Sequence, residues 1–414
     1  MQAVAGGCQN DGMTLHTLLL FFLGDREAIL TIARSRGALA VGAMFVLSAA
    51  LARDYDGEDL LIEPWHLIMP FITSFFAAFV LHALANFRLF RVRGQSGTDF
   101  FDRFGCFFRL FWMTAPLAWL YAIPYERFLS PLDATRANLT TLAVVSVLRL
   151  ALMMRVLVVL YGYRWWGAAA VVLPFACLSA LFATVILHIP LFTVMGGIRY
   201  GERTRLISDF SKGLEVVGFF GGIASVLVFA VLVRLETPKW RLPGPIQFLP
   251  TSQGCKWVGA ISILFWVPLL ILTQPEQRLR TRAEELYHDR KYDEYLRLLD
   301  EMPLAAFPPQ YEPPPRVWDQ RQIDDWRTIE LLLFVYDNKP PISAALREAL
   351  NSKLRQLLGS GSLYAAFDQT AELKRLLSIH PDGKALRALI EQKQPQYAGE
   401  IDLARDLPAR GIKD

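Results

Sequence analysis

Apolar residues in the first two thirds of the chain do not alternate with polar ones; they run for about twenty positions at a time, as in 166–196, which holds no Lys, Arg, Asp or Glu, and 214–233, where Glu215 alone is charged. A bilayer core of about 30 Å takes about twenty helical residues, because each residue of an α-helix rises about 1.5 Å. Seven segments approach that length: 37–52, 65–87, 107–124, 139–160, 166–195, 214–233 and 257–274. Lipid offers no hydrogen bond to a free peptide group, and no period-two pattern of a barrel is present, so each run predicts a helix. The first is short unless it begins near Ile29. The stretch 15–23 is shorter still, bounded by Asp25-Arg26-Glu27, and is expected to lie along the membrane interface.

Past residue 275 the pattern turns amphipathic. Helices are predicted over 276–290 and 292–301, then a break at Pro303 and a proline-rich stretch from Phe307 to Arg316, then helices over about 317–337, 342–358, 362–379 and 383–394. Ala283, Leu286 and Tyr287, then Tyr292, Tyr295, Leu296 and Leu299, fall on one face of two short helices joined at Asp289-Arg290-Lys291. This pair resembles a tetratricopeptide-type hairpin, but an array needs further copies at a period near 34 residues and none follows. The expected architecture is therefore all-α: a polytopic transmembrane helix bundle of about seven spans with a C-terminal soluble α-helical domain. Its parts are an interfacial segment (1–36), the bundle (37–274), an α-hairpin (275–302), a proline-rich spacer in extended polyproline geometry (303–316), a helical domain (317–396) and a mobile tail (397–414).

Composition supports the membrane class, with 53% hydrophobic and 12% aromatic residues. Charge separates the two parts. Residues 1–274 carry 22 Lys and Arg against 16 Asp and Glu, whereas residues 275–414 carry 21 against 23. The net +4 therefore comes from loops between apolar runs, which suits anionic headgroups better than nucleic acid. Trp and Tyr cluster near run ends, as an aromatic belt requires. Arg26, Arg34 and Arg36 precede the first span, the next loop is acidic, and Arg88, Arg91, Arg93, Arg103 and Arg109 follow the second. The excess of positive charge on cytoplasmic loops places the N-terminus inside. Beyond the third span the rule stops discriminating: seven spans put the tail outside, and six, with 139–160 flat on the surface, put it inside.

Few residues carry candidate chemistry. Arg149 and Arg155 fall within a predicted span, where a guanidinium needs a partner, water or a lipid phosphate. Six residues apart, they point about 120° from each other on a helix, so they are candidates for separate contacts with anionic groups or lipid headgroups. His82 and Asn86, four apart, share a helix face. That His-x-x-x-Asn spacing resembles one motif of the CAAX-type intramembrane proteases, yet Glu284-Glu285 stands one residue out of that family's register with Arg290 and lies outside the apolar runs. An interhelical hydrogen bond is the ordinary use of such a pair. Asp54, Asp56, Glu58, Asp59 and Glu63 make an acidic loop around Gly57 whose spacing is too short for an EF-hand, so no metal site is expected. Cys8, Cys106, Cys177 and Cys255 are scattered singly, without zinc-ligand spacing. No nucleophile elbow, phosphate loop or metalloprotease pair is present, so no catalytic residue and no cofactor is expected.

Gly24-Asp25-Arg26-Glu27-Ala28-Ile29-Leu30, the loop Tyr55-Asp56-Gly57-Glu58-Asp59-Leu60-Leu61 with Glu63-Pro64-Trp65-His66, and Phe307-Pro308-Pro309 with Pro313-Pro314-Pro315-Arg316 resemble uncharacterised bacterial integral-membrane proteins. The resemblance covers most of the chain and implies residence in the bacterial inner membrane, with no activity attached. Two functions are consistent with these residues. One is a scaffold or assembly factor whose tail, 275–396, recruits a protein. The other is a transporter or lipid-handling protein that meets an anionic group through Arg149 or Arg155. Membrane lipids are expected partners and nucleic acid is not.

Overall fold

A computed structural model describes residues 12–87, 97–186, 202–235, 239–242, 248–303, 306–308, 311, 313–314, 321–359 and 370–393. Among these, every regular element is helical. Contacts divide them between two units. One holds the residues within Met1–Phe128, Asp133–Leu187 and Ser211–Pro275, and the other those within Leu129–Leu132, His188–Phe210 and Glu276–Asp414.

The first unit opens with two short helices, α1 (Leu15–Phe22) and α2 (Arg26–Arg34). Thr14 and Thr17 cap the start of α1 reciprocally, and Asp25 accepts the Ala28 N–H at 2.9 Å to start α2. Gly24 turns the chain between them at φ +74°, a conformation most side chains resist. Then come α3 (Ala38–Asp54), α4 (Trp65–Asn86), α5 (Gly97–Trp112) with a 3-10 turn over Ala115–Ala122, α6 (Pro131–Tyr161, in this unit from Asp133), α7 (Trp165–Ile186), α8 (Glu202–Leu235, in this unit from Ser211), α9 (Gln253–Leu264) and α10 (Trp266–His288, in this unit up to Pro275).

Among the described residues, six stretches are long and apolar enough to cross a membrane: Trp65–Asn86, Phe100–Arg127, Pro131–Tyr161, Trp165–Phe182, Asp209–Leu232 and Gln253–His288. The seventh expected run, 37–52, corresponds to α3, which has 17 residues and is the most enclosed helix of the unit. Ala38, Val41, Phe45, Val46, Ser48, Ala50 and Leu51 are all buried on it. A helix that is apolar on every side is one surrounded by other helices, and α4, α5, the 3-10 turn and α9 all contact α3. The run 139–160 lies within the unbroken 31-residue α6. Of the run 166–195, only the part up to Ile186 lies within the described residues.

Contacts fix the relative directions of these helices. α3 runs parallel to α9 and α10: the Gly37 N–H donates to Thr251 Oγ1 (2.9 Å), Ser48 Oγ to the Ser262 carbonyl (2.8 Å), Trp266 Nε1 to Ser48 Oγ (2.9 Å), and Thr273 Oγ1 to the Tyr55 carbonyl (2.6 Å). α4 returns antiparallel. Its Ser74 hydroxyl accepts from Trp112 Nε1 at 2.9 Å, and its Phe75 and Phe79 rings meet Phe104 of α5 edge to face. α7 and α8 approach closely because Gly218 faces Leu181 and Cys177; a β-carbon there would lie 2.9 Å from Leu181 Cγ. Met13 and Ser35 bridge to Thr251 and Leu249, which ties the ends of the α1–α2 pair to the segment preceding α9.

In the second unit the end of α10 is followed by α11 (Tyr292–Glu301), α12 (Arg321–Asn338), α13 (Ala344–Gly359), α14 (Thr370–Ile379) and α15 (Gly383–Lys393). Tyr287, Tyr295, Leu332, Leu354, Leu376 and Ile390 are fully buried in a core of their own. The sequence reading breaks the chain at Pro275, but α10 continues through it to His288. An internal proline removes one helical hydrogen bond and bends the axis, and here Glu276, Gln277, Arg278 and Leu279, good helix formers, carry the helix on. The spacer 303–316 is described only in part, and the tail 397–414 lies outside the described residues.

Candidate functional site

His82 and Asn86 lie near the end of α4, where α5 and α6 converge. His82 is fully buried and ringed by Phe100, Phe104 and Phe107, with ring centroids 4.6, 5.4 and 5.8 Å away. Its Nε2 lies 3.2 Å from the Phe100 carbonyl oxygen. A carbonyl only accepts, so Nε2 carries the proton and Nδ1 is the acceptor. The Tyr161 hydroxyl donates to that Nδ1. Asn86 Nδ2 donates to the His82 carbonyl (2.8 Å) and reaches the Tyr161 oxygen (3.4 Å). Next to it, Tyr163 donates to the Ala85 carbonyl at 2.7 Å. Both ring nitrogens and the phenol are thus engaged, and the arrangement joins α4, α5 and α6 by hydrogen bonds within an aromatic shell.

Arg149 and Arg155 occupy different surroundings. Arg149 Nε donates to Thr114 Oγ1 at 3.1 Å, and its guanidinium lies 5.0 Å from the centre of the Phe111 ring. Thr114 follows the end of α5 and precedes the 3-10 turn, so the crossing 100–127 is interrupted there. A helix C-terminus presents carbonyls and the negative end of its dipole, and a cation beside it is stabilised. Arg155 Nε instead donates to the Gly24 carbonyl at 2.7 Å, in the turn between α1 and α2. The two arginines thus bind separate elements, as their helical spacing requires.

The acidic loop between α3 and α4 is held by α10. Gln274 Nε2 donates to the carbonyls of Tyr55 (3.2 Å) and Glu58 (3.0 Å), and its Oε1 accepts the Leu60 N–H (2.9 Å). The buried Asp59 accepts the Leu61 N–H at 3.1 Å, and Arg127 pairs with Asp56. Glu58, Glu63 and His66 bring one donor atom each to within 4.8 Å of one another.

Three of these partners were not singled out in the sequence. Tyr161 reads as a belt aromatic because it ends an apolar run; its pairing with His82, 79 positions away, has no local signature. Thr114 and Gln274 are ordinary polar residues at run ends. Gln274 does stand out in one respect, as the first amide after the long uncharged run that begins at Trp257.

Among the described residues the fold is all-helical, with six stretches whose length and apolar composition suit a membrane protein. No protein-family model, curated protein or solved structure matches the chain.

Proposed function

We propose that the chain is an integral membrane scaffold whose bundle anchors a water-exposed helical unit for recruiting a protein. In this reading α3 counts as a crossing with the six longer stretches. Its course beside α9 and α10, from Thr251 to Thr273, supports that count. Seven crossings put residues 276 onward on the opposite side of the membrane from residues 12–36, with the N-terminal side cytoplasmic and the membrane a bacterial inner membrane. One observation carries the functional reading: the polar side chains expected to work in the bundle, His82, Asn86, Arg149 and Arg155, all bind other parts of the same chain. The second unit meanwhile carries a separate apolar core.

The test is cross-linking of the full-length, C-terminally tagged chain in its native membrane, followed by capture. A specific protein joined to residues 276–396 is the expected result. Cross-links confined to abundant bystanders would overturn the reading.

The interrupted crossing at Thr114 favours a second reading. Broken spans with a charge at the break are where transporters and lipid-handling proteins hold ions and headgroups. Native mass spectrometry with anionic lipids would then show retained lipid that Arg149→Leu releases. Equal retention by both proteins would dispose of this alternative.

A further inference from the structure

We propose that Glu58, Glu63 and His66 form a binding site for a divalent transition-metal ion, with Zn2+ as the probe. The site is independent of the scaffold reading. Its three donors come from three backbone settings: Glu58 from the turn after α3, Glu63 from the residue before Pro64, and His66 from the first turn of α4. Glu63 precedes α4 and His66 lies in its first turn, so the chain's entry into the helix brings the carboxylate and the imidazole side by side. His66 Nε2 lies 3.5 Å from Glu63 Oε2, and all three donor atoms lie within 4.8 Å of one another. Zinc binds nitrogen at about 2.0–2.1 Å and carboxylate oxygen at about 2.0–2.2 Å, so donors around a tetrahedral ion stand about 3.4 Å apart. The Glu63–His66 pair already has that separation, and Glu58 brings its carboxylate to within 4.8 Å of both.

Asp56 pairs with Arg127, Asp54 lies 3.7 Å from Arg53, and Asp59 accepts backbone N–H groups. The backbone beneath Glu58 is fixed by Gln274, so an ion meets a turn that is already shaped. One imidazole and two carboxylates form a mixed nitrogen–oxygen set. Calcium and magnesium select all-oxygen sites, whereas zinc, manganese and ferrous iron accept this mixture. Three protein ligands leave a coordination position for water. The bound ion would staple the α3–α4 turn.

The experiment uses the full-length chain in detergent, stripped with EDTA and titrated with Zn2+ by calorimetry and metal analysis. We expect one Zn2+ per chain with a Kd of about 1 μM or tighter. Glu58→Gln, Glu63→Gln and His66→Gln should each weaken binding about tenfold or more, while Asp56→Asn leaves it unchanged. X-ray absorption on the loaded wild-type protein should show a nitrogen and oxygen shell without sulfur, which needs no variant to fold. Three results would overturn the site: sulfur in that shell, no saturable binding below about 0.1 mM, or equal weakening by Asp56→Asn, which marks a diffuse acidic surface.

Discussion

Arg149 donates from Nε to the hydroxyl of Thr114, 3.1 Å away, where α5 gives way to a 3-10 turn. The pair links the middle of α6 to the weakest point of the crossing 100–127. Thr114→Val should cost about 0.5–1.5 kcal/mol, the range of interhelical hydrogen bonds in membranes. In a cycle with Arg149→Met the double variant should lose less than the sum of the two single losses, because each removes the same bond. Unfolding of the four proteins in mixed micelles gives the coupling. Strict additivity would show that the bond contributes nothing.

Tyr161→Phe deletes one oxygen and takes from His82 Nδ1, inside its aromatic shell, the phenol donor, leaving the Asn86 Nδ2 at 3.2 Å. A buried polar group stripped of its partner costs about 1–3 kcal/mol. His82→Phe should be milder in a Tyr161→Phe background than alone, since both ends of the bond are then apolar. Thermal unfolding of the single and double variants measures the difference.

Close approach of α3 to α5 depends on Gly42. A β-carbon there would stand 2.9 Å from Trp112 Cβ, an atom next to the backbone that cannot swing aside. Gly42→Ala should destabilise by about 1–3 kcal/mol. Gly57→Ala, where a β-carbon meets nothing within 4 Å, should fall within about 0.5 kcal/mol of wild type. Melting temperatures of the two alanine variants should therefore separate clearly.

His380 gives the second unit a pH dependence. Its Nδ1 accepts the Asp382 N–H at 3.0 Å, and its Nε2 faces the Tyr336 hydroxyl at 3.0 Å and Asn351 Oδ1 at 3.2 Å. Burial holds the imidazole below its ordinary value of 6.5; Asp382 opposes that shift and Arg355 adds to it. The unfolded chain therefore takes up the proton first, and stability falls as pH drops through 6.5 toward the folded value. Asp300, held low by the Ser343 N–H, adds its loss only below 3.8, and Glu372, raised by burial, works in the opposite direction above 4.5. The protection of the Asp382 amide, measured as its exchange rate relative to the intrinsic base-catalysed rate at each pH, should fall between pH 7.5 and 5.5 (about one unit either side of the histidine value), and His380→Gln should flatten that response.

The helices were legible wherever one physical constraint dominated. The run 65–87 becomes Trp65–Asn86, and 292–301 becomes Tyr292–Glu301, because lipid length and amphipathic period each act locally. α3 reads as a short span, whereas its enclosure by four elements depends on residues far along the chain. The break after Trp112 is hidden because Ala115 to Ala122 is as apolar as the helix before it. His82 and Asn86 are recognisable as neighbours on one face, and Arg149 and Arg155 as pointing apart. Their partners Tyr161, Thr114 and Gly24 are not, since each pairing is a tertiary event. Glu58 belongs to an acidic loop in the sequence, and only the folded turn selects it, with Glu63 and His66, from five carboxylates.

The parallel alignment of α3 with α9 and α10 has a consequence for biosynthesis. Ser48, a buried hydroxyl in the middle of the first apolar helix, bonds to residues 214 and 218 positions later. During elongation at about 5–20 residues per second, that helix waits many seconds before its neighbour is made. For that interval the Ser48 hydroxyl and the Tyr55 carbonyl lack these partners, and a translocon or chaperone would shield them from lipid. Nascent chains that have emerged from the ribosome only as far as Ser252 should therefore be more sensitive to protease than chains that have emerged through His288, although the two differ by a single crossing.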